Sequence, residues 1–135
     1  MKNLVIVLCL ITVIPGFALI AQNNSASDES AYAELAYNKG IENISKKKFE
    51  EALLNFQEAI QYDQNHVKSY QKRGYVKIML DDTSGALKDF NQAIAKDPDF
   101  AAAYYSRAYI YYNHHKYNKA VKDFEKTVDI LKNKT

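Results

Sequence analysis

From about Ala33 to the end of the chain, apolar side chains recur at steps of three and four and are broken only by short polar clusters. Between Val67 and Leu80, Tyr70, Val76 and Met79 stand among charged residues; further on, Ala86, Leu87, Phe90, Ala93 and Ile94 keep the same spacing. An apolar stripe of this period predicts an amphipathic helix, so the two segments read as a helical pair. Asp81 to Gly85 is the turn between them, and Asp97 before Pro98 fits an N-cap followed by proline at the first helical position. No strand alternation competes with this reading.

The same pair occurs three times. Ala52, Ala86 and Ala120 are 34 residues apart (86−52, 120−86), as are Phe56, Phe90 and Phe124, and Gly40, Gly74 and Ala108 share the register. A fixed period of this length marks a stacked helical array. Small residues let two helix axes approach while Phe fills the space beside them, so added bulk at Gly74 or Ala86 should break the unit. Within each unit the order small residue, Ala, Phe, with Pro98 closing the second, resembles the tetratricopeptide repeat. Unit two fits best, with Tyr70, Gly74, Ala86, Phe90, Ala93, Asp97 and Pro98. Unit one has Ala36 in the aromatic slot, and unit three has Thr127 for Ala and Lys132 for Pro, departures that suit terminal units.

The resemblance implies an all-α fold, a right-handed α-solenoid of three antiparallel helix-turn-helix units spanning 33–66, 67–100 and 101–134 within a domain at 31–135. It also implies a protein or peptide partner. One group of the family clamps the C-terminal carboxylates of cytosolic chaperones. That clamp would require Lys at Tyr37, Asn at Ile41, Asn at Lys72, Lys at Ala102 and Arg at Ser106, and none of the five matches.

The N-terminus is a different kind of sequence. Lys2 precedes an apolar run from Leu4 to Ile14 that only Thr12 interrupts, and Pro15-Gly16 then breaks it, the layout of an export signal spanning 1–21 with cleavage after Ala18 or Ala21. The alternative is an uncleaved membrane anchor at 4–21, which is barely long enough to span a bilayer. Export to a periplasmic, cell-envelope or extracellular location is the expectation, with anchoring as its rival. Residues 22–30, polar and small, read as a linker.

Charge excludes little and suggests little. The chain has 18 Lys and Arg against 16 Asp and Glu, so neither nucleic acid nor an anionic membrane is indicated as a partner. Its single cysteine, Cys9, lies in the leader, so the rest of the chain cannot form disulfides and must rely on its core. Lys46-Lys47-Lys48 falls between two helices and reads as a solvated turn. His114 and His115 are adjacent and project to different faces, and His66 sits at a repeat junction without an acidic cluster. These three read as solvated turn histidines, with no metal site expected. No nucleophile elbow or phosphate loop occurs, so neither a catalytic residue nor a cofactor is expected. Arg73 with Asp89 and Arg107 with Asp123, each 16 apart, read as scaffold ion pairs worth a few tenths to about 1 kcal/mol if partly exposed.

The functional candidate is the inner face of the first helix of each unit. Tyr105, Tyr109 and Tyr112 make a stripe at steps of four and three; 34 residues earlier stand Gln71, Tyr75 and Ile78, and another 34 earlier Tyr37 and Ile41. Tyrosine offers broad apolar contact and a hydroxyl at low entropic cost, which suits a peptide-binding groove, although such a stripe also suits packing between units. Two roles follow for the groove: an exported adaptor, or a signal-anchored assembly factor or co-chaperone-like accessory. Apolar Val121, Phe124, Val128, Ile130 and Leu131 on the last helix must be shared between internal packing and the outside, which leaves a partly apolar flank through which the chain could self-associate.

Overall fold

The structure, a computed structural model, describes the backbone of residues 15–134 and side-chain surroundings from Ala26 onward. The leader or anchor expected at 1–21 lies largely outside the described residues. The elements are α1 (Pro15–Ser45), α2 (Phe49–Tyr62), α3 (Val67–Met79), α4 (Thr83–Lys96), α5 (Ala101–Asn113) and α6 (Tyr117–Asn133), with no strand among the described residues. Helices pair as α1·α2, α3·α4 and α5·α6, and α2·α3 and α4·α5 contacts join the units into an all-α solenoid.

The small-residue crossings are as tight as their composition implies. A Cβ added at Gly40 would lie 2.6 Å from Phe56, and one at Gly74 would lie 2.7 Å from Phe90. Phe56, Phe90, Ala52 and Ala86 are fully buried. Each pair also turns in the same way: Lys47, Asp81 and His115, 34 residues apart, hold φ of 56°, 62° and 57°. This left-handed residue ends the first helix as glycine usually does, letting the chain reverse within two or three positions.

Three local expectations are corrected. Residues 22–30, expected as a linker, are helical and continuous with α1; no glycine or proline falls between Phe17 and Lys39 to stop the helix. The turn between α3 and α4 is shorter than Asp81–Gly85, because Asp82 caps α4 by accepting from the Gly85 amide at 2.8 Å. Asp97 is not an N-cap. It ends α4, and its carboxylate accepts from the Asp99 amide at 3.0 Å, while α5 starts only at Ala101. Asp63 does the same for the Asn65 amide at 2.8 Å, one period earlier.

Candidate functional site

The scaffold beneath the inner face is polar as well as apolar. Arg73 Nε and Nη2 grip both oxygens of Asp89 at 2.9 and 2.6 Å, and Lys77 Nζ adds a third contact at 2.8 Å. Arg107 grips Asp123 likewise at 2.7 and 2.8 Å. Hydrogen bonding to Asp123 holds the Arg107 guanidinium above its ordinary pKa against the opposing effect of burial. The Asp89 side chain is 4% exposed and that of Asp123 9%. These pairs are buried and two-pronged, so removing one partner costs more than it would for the partly exposed pairs expected from spacing alone. Unit one, with Lys39 and Asn55 at the same positions, substitutes a bond from Asn43 Nδ2 to Asn55 Oδ1 of 2.8 Å.

The expected stripe divides into four environments. Tyr75 and Ile78 of α3 face Tyr105 and Tyr109 of α5 across a hollow of about 360 Å³, completed by Met79 and Ser106. Its tyrosines are open to solvent. Gln71 instead turns inward: it is 9% exposed, and its Nε2 donates to Ser106 Oγ at 2.9 Å, fixing α3 to α5 at the edge of the hollow. In unit one Tyr37 and Ile41 are half-buried against the cluster of Ala52, Phe56 and Val76. The Tyr37 ring lies 5.7 Å from Phe56 and 5.3 Å from His66. Burial, and secondarily the nearby Glu34 carboxylate, raise its phenol pKa. Tyr112 lies apart, edge-on to Tyr117 at 5.7 Å. Met79 and Ser106 were not among the expected groove residues, yet each was within reach of the pattern, four positions after Tyr75 and three before Tyr109.

The histidines have specific places. His115 is the left-handed turn residue, and its Nδ1 is 2.8 Å from the Tyr117 hydroxyl. His66 is not a solvated turn residue: its side chain is 11% exposed, with Nε2 3.0 Å from Glu34 and Nδ1 2.7 Å from Ser69 Oγ. The missing acid arrives from α1, 32 positions away, where local spacing could not reveal it. The Ser-His-Glu order resembles a hydrolytic relay, but Ser69 is 0% exposed and no substrate can reach its hydroxyl. Among the described residues no group of three or more His, Cys, Asp or Glu could hold a metal, and no helix is long and apolar enough to cross a membrane.

Sequence models of the repeat match the chain: one described as TPR repeat covers 80–114, across α4 and α5, and one described as tetratricopeptide repeat covers 33–66 and 101–130. The chain belongs to the tetratricopeptide repeat family. Among solved structures it is similar to MamA (26% identity, TM-score 0.72, covering 78% of this chain and 61% of that one). It is also similar to the TPR2B domain of yeast Sti1 in complex with pHsp70 (27% identity, TM-score 0.71, covering 75% and 81%). The second TPR of Spaghetti (RPAP3), bound to the HSP90 peptide SRMEEVD, shares the fold at 21% identity and TM-score 0.73, covering 79% and 98%. No curated protein matches the chain. The tetratricopeptide chain thus spans less than two thirds of the MamA length.

Proposed function

We propose that this tetratricopeptide chain is an exported protein–protein interaction module that holds a peptide segment of its partner in the hollow between α3 and α5. The observation that carries this reading is the convergence of four residues of the stripe, Tyr75, Ile78, Tyr105 and Tyr109, on one open concavity. Its walls are apolar rings with hydroxyl tips, beside a Gln71–Ser106 bond that keeps the two helices at fixed separation. Such a surface takes an apolar side chain into the hollow and satisfies the peptide backbone at its rim. The complex of the Sti1 domain supports a peptide ligand in general. The mismatch of Tyr37, Ile41, Lys72, Ala102 and Ser106 to the carboxylate clamp argues against a chaperone terminus as that ligand. Export rests on the leader at 1–21 alone.

The test is crosslinking and mass spectrometry in the native envelope or secretory compartment, followed by binding of the identified segment to the full chain. Replacing Tyr75 and Tyr109 by Ala should weaken that binding at least about tenfold, with helicity retained. Unchanged binding by the folded variant would remove the hollow from the function.

A further inference from the structure

We propose that copies of this chain stack end to end, with α1 of one copy seated on the outer face of α6 of the next. The interfaces between units supply the template. At the two internal junctions the covering helix presents three aligned positions: Ser69, Arg73 and Val76 on α3, and Ala103, Arg107 and Ile110 on α5. The first is fully buried in both helices. The third packs on the Phe of the preceding unit, Val76 with Phe56 and Ile110 with Phe90. The second is an arginine that reaches back across the junction: Arg73 to the Gln57 side chain, and Arg107 Nη1 to Asn91 Oδ1 at 2.6 Å.

Both ends of the described array carry half of this interface. On α6, Val121, Phe124 and Val128 line an open hollow of about 430 Å³, at the positions where Leu53, Phe56 and Ile60 are covered in unit one. Glu125 lies in the same hollow, in the register of Gln57 and Asn91, the two residues that receive an arginine. It is exposed and has no ion-pair partner among the described residues. On α1, Leu35 is 52% exposed at the position where Ser69 and Ala103 are buried. Lys39, also exposed, occupies the arginine position. Stacking in register therefore sets Leu35 of one copy on Val128 of the next and brings Lys39 to Glu125, a charge match that neutral Gln57 and Asn91 do not offer.

One residue opposes the contact. Glu42 holds the position of Val76 and Ile110, and would lie over Phe124 with its charge removed from water. It keeps the association weak and reversible. Because the two faces differ, the contact is heterologous and its products are open chains or rings.

Sedimentation velocity on the purified chain over a concentration series tests this, with circular dichroism confirming that each variant is folded. Glu42→Val should tighten association at least about tenfold. In that background Lys39→Glu or Glu125→Lys alone should return the chain to monomer, and the two together should restore assembly. The Tyr75 and Tyr109 replacements should leave it unchanged, which separates this contact from the peptide hollow. A Glu42→Val variant that stays monomeric overturns the proposal. So does an oligomer indifferent to Lys39, which would point to α6 meeting α6.

Discussion

A methyl group placed on Gly74 would stand 2.7 Å from Cε1 of Phe90, closer than two carbon atoms can approach. Phe90 has nowhere to retreat, since it is 0% exposed between Ala86 and Ile110. Gly74→Val should therefore destabilise the fold by about 3 kcal/mol, through overpacking and the loss of the close helix crossing. The equivalent residue of unit three is already Ala108, tolerated because Phe124 is only half-buried, with no further unit over it among the described residues. Ala108→Val should cost visibly less. Urea denaturation of both variants checks the contrast, and equal losses would refute the account of the crossing.

Asp89 is the acceptor for two cations at once, Arg73 and Lys77, whose side chains are 14% and 21% exposed. Removing the carboxylate leaves both positive charges partly desolvated with no counter-charge. Asp89→Ala should cost about 3 kcal/mol. Asp89→Asn recreates the residue that unit one carries at Asn55 and keeps hydrogen-bond acceptance, so it should lose less. Thermal unfolding of the two variants separates charge from shape: if they fall together, the carboxylate acts through its charge alone.

How much of this was legible in the sequence depended on whether the determinant was local or periodic. The 34-residue register announced the helix pairs and the Gly74–Phe90 and Gly40–Phe56 crossings, because each needs only a small residue and a Phe at fixed separation. It also placed Tyr75, Ile78, Tyr105 and Tyr109 on one face. What periodicity could not supply was the difference between equivalent positions. Tyr37 and Tyr105 are two periods apart, and each ring lies 5.7 Å from the Phe of its own unit. Yet Tyr37 is half-buried, with the His66 ring at 5.3 Å, and Tyr105 is 57% exposed because no further unit follows among the described residues. The sequence also hid the Glu34–His66 contact, whose partners are joined only when unit two folds onto unit one. The extension of α1 back to Pro15 escapes the pattern for a different reason: the polar residues of 22–30 have the composition of a linker, although none of them breaks a helix.

Tyr37 gives the fold an alkaline limit. Its phenol is half-buried, and burial, reinforced by Glu34, raises its pKa above the ordinary 10.0 because ionisation would place an anion in a poorly solvated site. In the unfolded chain the same phenol loses its proton near the ordinary value, while the folded chain retains it to higher pH. The stabilisation is therefore complete below about pH 10 and is lost as pH rises through the folded value. Tyr37→Phe keeps the ring contacts with Phe56 and His66 and removes the titrating group. Urea midpoints measured from neutral to strongly alkaline pH should fall more steeply for the native chain than for Tyr37→Phe. The gap should open only above the ordinary phenol value. Parallel curves for the two proteins would show that the Tyr37 hydroxyl is as well solvated in the folded chain as in the unfolded one.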